Sequence, residues 1–176
     1  IIMDLNGTID HYEFTNVLLG KGSFAVVKLA THIPTQQRVA IKVISKSTII
    51  SDNQLVSQLC REIQALKQCD HIFIAKFFDL FEDDNNYFIV QEYAKQGTLL
   101  SYVNLRRNIP ESQCKIFFSQ IISALEYLLN MKIIHRDLKA ENILLDCNYN
   151  IKLIDFGLCR IHTDSDNFTS TLCGSI

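Results

Sequence analysis

The sequence predicts an α+β protein in two parts, a β-rich half with a single helix followed by a helical half. Three observations carry this. Apolar residues alternate over residues 12–45 in the manner of antiparallel strands. The period changes to a helical one over residues 53–68, where Leu55, Leu59, Ile63 and Leu66 share a face. Beyond Gly97 the spacing is mainly helical. The seam falls near Glu92 to Gln96 and divides an N-terminal extension at 1–11, a first lobe at 12–93 and a second lobe at 94–176.

Taken in order, Phe14, Val17 and Leu19 lead into a glycine-containing turn, and Ala25–Ala30 returns as a strand. Pro34 keeps 32–37 out of a central strand, and Arg38–Ile44 is the third strand. Phe77–Phe81 and Tyr87–Val90 flank the acidic turn Glu82-Asp83-Asp84-Asn85-Asn86. Pro110 suits the first position of a long helix, with Cys114, Phe117, Phe118, Ile121, Ile122, Leu125, Leu128 and Leu129 as its buried stripe. Short strands at Ile143–Leu145 and Ile151–Leu153 frame a turn, and His162 to Thr171 reads as a loop.

Composition excludes several classes. Hydrophobic residues make up 48% of the 176, which rules out a disordered chain. A net charge of −2 draws nothing to nucleic acid. No apolar run reaches membrane-spanning length. The six cysteines form no C-x-x-C pair and read as free thiols of a reducing compartment, which places the protein in the cytoplasm. The chain opens Ile1-Ile2-Met3 and stops at Ile176, the expectation for a fragment.

Four constellations carry chemistry. Gly20-Lys21-Gly22-Ser23-Phe24-Ala25 lies between two strands, where glycines let backbone amides approach phosphate oxygens. A Rossmann site would need a helix directly after it. Val39-Ala40-Ile41-Lys42 sets an ammonium on an apolar strand, and Glu62, beside the helical stripe, is its candidate counter-charge. His135-Arg136-Asp137-Leu138-Lys139-Ala140-Glu141-Asn142 gathers a carboxylate suited to accept a hydroxyl proton, an ammonium suited to neutralise phosphoryl charge and an amide oxygen suited to Mg²⁺. Asp155-Phe156-Gly157 adds a second hard oxygen donor.

Together these motifs, in this order, resemble the eukaryotic-type protein kinases from about Tyr12 to the last residue. Lys139 and the run to Asn142 resemble serine/threonine rather than tyrosine kinases. With Thr171-Leu172-Cys173-Gly174-Ser175, the sequence looks most like the calcium/calmodulin-dependent group, in its AMP-activated and microtubule-affinity-regulating branch. The resemblance implies a bilobal fold with an incomplete helical C-lobe. It implies transfer of the γ-phosphoryl group of ATP, with Mg²⁺, to protein Ser or Thr hydroxyls. The competing reading is a nucleotide-binding or scaffolding fragment without turnover.

The resemblance also assigns residues. Leu19, Val27, Ala40 and Leu144 would sandwich adenine. Gly20, Lys21, Gly22, Ser23, Phe24 and Ala25 would cover the phosphates, with Ala25 standing at the pattern's third glycine. Glu92-Tyr93-Ala94 would hydrogen-bond the nucleotide, and Gln91 would narrow the space behind it. Lys42 and Glu62, with Asp137 and Lys139, would form the catalytic set, and Asn142 and Asp155 would hold Mg²⁺. Leu66, Phe77, His135 and Phe156 match a switchable apolar spine. Arg136 would grip a phosphate placed on Thr171 by an upstream activating kinase. Thr98 replaces a glutamate that reads basic substrates, so no strong basic preference is expected.

Overall fold

Strand alternation in the first ninety residues becomes one antiparallel sheet. The computed structural model describes residues 7–22, 25–50, 53–106 and 108–161. Its elements are β1 (Gly7–Ile9), β2 (Tyr12–Lys21), β3 (Ala25–His32), β4 (Gln37–Ser45), α1 (Lys46–Ile50), α2 (Asn53–Gln68), β5 (Phe77–Glu82) and β6 (Asn86–Glu92). They continue with α3 (Leu99–Arg106), α4 (Glu111–Asn130), β7 (Ile133–Ile134), a 3₁₀ turn (Ala140–Asn142), β8 (Ile143–Leu145), β9 (Ile151–Leu153) and β10 (Arg160–Ile161). The chain forms two compact units, Ile1–Val56 with Phe77–Tyr93, and Ser57–Lys76 with Ala94–Ile176.

The first unit is a six-stranded sheet ordered β1-β2-β3-β4-β6-β5. The two-residue side-chain period sorts its faces. Tyr12, Phe14, Ala30, Val39, Ile41, Val43, Phe88 and Val90 form a buried cluster on one of them. Its aromatic rings pack in sequence: Tyr12 stacks on Phe81 at 5.4 Å and Phe81 on Phe88 at 4.7 Å, with Phe14 edge-on to Phe88. Burying each such ring contributes about 1.5–3 kcal/mol. The acidic turn is fixed locally, because Asp83 Oδ1 accepts from the Asn85 and Asn86 amides at 2.7 and 2.6 Å. The segment expected as an N-terminal extension contributes β1, paired to β2 through the turn at Asp10, whose φ is +53°. Three residues are too few to show a period in sequence.

The second unit is built on α4. Pro110 precedes the helix as its N-cap, with ψ 141°, rather than taking the first helical position. Lys132, at φ +58°, closes the other end in the left-handed region that glycine usually fills. The buried stripe also differs from the expected one. Phe117, Gln120, Ala124 and Leu128 face inward, while Cys114, Phe118, Ile122 and Leu129 are exposed. The eight apolar positions span two adjacent rows, at i and i+4, and the described elements of this unit cover one of them. Gln120 earns its burial through two bonds, donating to Asn150 Oδ1 at 2.9 Å and accepting from the Ile151 amide at 3.0 Å. That pins the β8–β9 hairpin to the helix.

Most of α2 belongs to this second unit, although the sequence placed all of 12–93 in one lobe. The segment that follows explains it. Ala75 N donates to Leu153 O at 3.0 Å and Leu153 N to Phe73 O at 2.9 Å, so the chain leaving α2 is hydrogen-bonded to β9. The segment after Tyr93 docks in the same way, with Gln96 N on Leu145 O and Leu145 N on Gly97 O. Thr98 then caps α3, its hydroxyl accepting from the Ser101 amide at 3.0 Å.

Candidate active site

The first unit collects its expected residues by register. Val27 lies opposite Lys42, Leu29 opposite Ala40, and Ala40 opposite Gln91. Directly opposed residues share a face in an antiparallel pair. Val27, Ala40, Lys42 and Gln91 therefore line the face that alternates with the aromatic cluster. Gly20 pairs with Val27 at the end of β2, where a register shift bends the strand, and Gly22 N donates to Ala25 O at 2.9 Å to tighten the turn. Leu19 and Lys21 flank Gly20 on β2, and Leu19 is exposed. Glu92 ends β6. Ser23 and Phe24 lie outside the described residues, as does Thr171.

In the second unit the loop between β7 and β8 folds onto itself. Asp137 is buried, with 7% of its surface exposed. Its Oδ2 accepts from Lys139 Nζ at 2.8 Å and from Asn142 Nδ2 at 2.9 Å. The same Asn142 nitrogen donates to the Asp137 backbone carbonyl at 2.9 Å. The hydrogen bond to Asp137 raises the Lys139 pKa and keeps its ammonium charged. Ile154 N donates to Asn142 O, which ties this loop to the one carrying Asp155.

His135 supports both loops from beneath. Its Nε2–H donates to Ile154 O at 2.9 Å, and its Nδ1 accepts from the Asp137 amide at 3.3 Å. Those partners fix a neutral tautomer, and burial lowers its pKa in agreement. Its ring meets Phe156 edge-on at 5.0 Å, and Phe156 and Leu66 are fully buried. Arg136 and Asp155 have φ of +66° and +64°, a left-handed backbone that costs roughly 1–3 kcal/mol at each non-glycine residue and collects at functional sites. Arg136 Nε donates to Leu158 O at 2.7 Å.

Gly157 sits at a close approach. A Cβ there would stand 3.2 Å from Asp155 Oδ1 and 3.7 Å from Glu62 Oε2. The helical carboxylate, buried at 5% exposure, is thereby brought beside the Asp155 turn. Ala94 is buried and Leu144 half-buried, the latter bridged to Thr98. One contact had no signal in the sequence. Cys159, 1% exposed, donates its thiol to Arg61 O at 3.7 Å and docks the turn onto α2.

The residues fit a hard cation. Asn142 spends its nitrogen on Asp137, so oxygen is the end it offers, and Asp155 adds a carboxylate. Among the described residues no cluster of three His, Cys, Asp or Glu could hold a metal ion.

Comparison with known proteins decides the family. Residues 13–176 match the family model described as the protein kinase domain. The chain belongs to the protein kinase family. Its fold is the protein-kinase fold, α+β as the sequence predicted, and membership implies use of ATP. The kinase is similar to the SNF1-like protein kinase ssp2 of Schizosaccharomyces pombe, at 46% identity over 89% of this chain and 27% of that protein. It is also similar to the carbon catabolite-derepressing protein kinase of Saccharomyces cerevisiae, at 42% over 95% of this chain and 26% of that one. The serine/threonine-protein kinase SIK1 of Mus musculus is 43% identical over 89% of this chain and 20% of its own length. These relatives fall in the branch that the motifs indicated. The chain spans about a quarter of the length of the curated relatives it matches. No helix among the described residues is long and apolar enough to cross a membrane.

Proposed function

We propose that this kinase transfers the γ-phosphoryl group of ATP to Ser or Thr hydroxyls of protein substrates in the cytoplasm. The observation that carries the reading is the Asp137–Lys139–Asn142 cluster, in which a buried carboxylate is held by an ammonium and an amide. Asp137 orients the substrate hydroxyl and accepts its proton as the oxygen attacks the γ-phosphorus and ADP leaves. Lys139 offsets the charge that develops on the transferred group. Asn142 and Asp155 would hold Mg²⁺, which when bound draws off phosphate charge. Lys42 would orient the α- and β-phosphates, and Glu62 remains the counter-charge that the motifs suggest for it. Leu19, Val27 and Ala40 of the first unit would pack on the adenine, Leu144 is the second unit's candidate for the same role, and Glu92 and Ala94 lie on the segment that would bond it. The Gly20–Ala25 turn covers the phosphates.

Regulation would act through Arg136. Its guanidinium has donors beyond the one given to Leu158, and a phosphate added to Thr171 by an upstream kinase would recruit them.

Transfer from labelled ATP to a serine- and threonine-containing peptide tests the reading. The wild-type chain should label it, and Asp137→Ala should lose about 10²–10⁴-fold in rate while MgATP still raises the melting temperature of both. Equal, negligible transfer by both proteins with an intact thermal shift would favour a nucleotide-binding module without turnover.

A further inference from the structure

Tyr127, on α4, reaches a segment far from it in the chain. Its hydroxyl accepts from the Asp70 amide at 2.9 Å and donates to Gln68 O at 3.3 Å, so one side chain ties down the exit of α2. Its ring stacks on His71 at 4.9 Å. His71 Nδ1 accepts from the Phe73 amide at 3.2 Å. That leaves the proton of the neutral ring on Nε2, 3.4 Å from Ser123 Oγ one turn back along α4. Ser123 and Tyr127, four apart on one row of the helix, thus hold the stretch from Gln68 to Phe73.

That stretch holds β9 in turn. Phe73 O accepts from Leu153 N at 2.9 Å and Leu153 O accepts from Ala75 N at 3.0 Å, a parallel bridge centred on buried Ile74. On its other side Leu153 pairs with Ile143 of β8. Ile154 donates to Asn142 O and accepts from His135 Nε2. Asp155 follows directly, at φ +64°. All four backbone polar groups of Leu153 and Ile154 are therefore bonded to neighbours. A displacement of the Gln68–Phe73 stretch passes on to Asp155, because the two residues between are fixed at both ends.

We propose that Tyr127 is a positioning residue for Asp155, bracing it through the Phe73–Leu153 contact. The inference rests on the reading of Asp155 as a Mg²⁺ ligand and deepens it. Tyr127 acts on the ion only through that backbone run, so its effect falls on the metal-dependent part of nucleotide binding.

Calorimetric affinity for ATP, measured in EDTA and again in excess Mg²⁺, gives the gain that the metal brings. Tyr127→Phe keeps the ring and removes both hydroxyl bonds. It should reduce the gain about fivefold and leave the affinity in EDTA unchanged. A tyrosine that only stabilises the fold would lower the melting temperature of the variant and leave the gain as in wild type, which overturns the inference. Reciprocity supplies a second measurement that needs no variant. In the wild-type chain holding ATP, replacing EDTA by Mg²⁺ should slow hydrogen exchange at the Asp70 and Phe73 amides, read by NMR. Unchanged exchange there overturns the inference even where Tyr127→Phe fails to fold. Wild-type ATP binding with no gain from Mg²⁺ overturns the metal-ligand reading and this inference with it, and ATP binding in neither condition overturns the nucleotide reading as well.

Discussion

Replacing Asn142 tests how the catalytic loop is held. The amide nitrogen makes two bonds of 2.9 Å, to the carbonyl and to the carboxylate of Asp137, and both residues are buried. A bond to a neutral carbonyl contributes about 1 kcal/mol and one to a charged group about 1.5–3 kcal/mol. Asn142→Ala should therefore lose about 3 kcal/mol of stability, which in a chain of this size lowers the melting temperature by about 6–12 °C. Asn142→Asp sharpens the test. It sets a second carboxylate roughly 3 Å from Asp137, a repulsion of about 5 kcal/mol at an effective dielectric constant of about 20. Protonation caps the added cost near 4 kcal/mol at pH 7, the free energy of neutralising an ordinary aspartate. The cap shrinks as pH falls, so the aspartate variant should trail the alanine variant at pH 7 and converge with it toward pH 4. Urea titrations in a chelator, compared at constant m-value, measure both differences. An alanine variant within about 0.5 kcal/mol of wild type, or a gap between the two variants that ignores pH, would refute the account.

Two further outcomes follow from the same loops. His135 is held neutral and its pKa lies below the usual 6.5 because it is buried, so below pH about 6.5 the unfolded chain binds a proton that the folded chain refuses. Stability should be full above that pH and fall as pH drops toward the folded value. NMR titration of the ring checks the sign, and a midpoint above 6.5 would contradict it. Burial pushes the Cys69 and Cys159 thiols up to about 11, so almost no thiolate forms near neutral pH. Timed iodoacetamide labelling read by mass spectrometry should modify exposed Cys60, Cys114 and Cys147 first. Early labelling of Cys159 would show that the turn is not docked on α2.

The Asp137 cluster was legible because it is local. The run from His135 to Asn142 contains its own hydrogen-bond partners: Lys139 and Asn142 reach Asp137 across a single turn. Alternation likewise placed β3, β4 and β6, since a period of two is written into the residues that form it. Distant contacts were not legible. Nothing near Cys159 in sequence announces the Arg61 carbonyl 98 positions away, and β7 and β10 are two residues each, paired only because the chain returns. The α4 stripe failed for a related reason. Hydrophobicity marks every face a helix could bury, and only its neighbours decide which one it does bury.

By itself the sequence determined the α+β class, the longer strands and helices and the makeup of the His135–Asn142 run, because spacing and residue type are properties of a short stretch. Tertiary structure alone decided that Glu62 lies beside the Asp155 turn, that His135 is neutral, and that Gln91 keeps an unsatisfied donor. Each of these depends on what surrounds a group in space, and burial and partnership are set by segments remote in the chain.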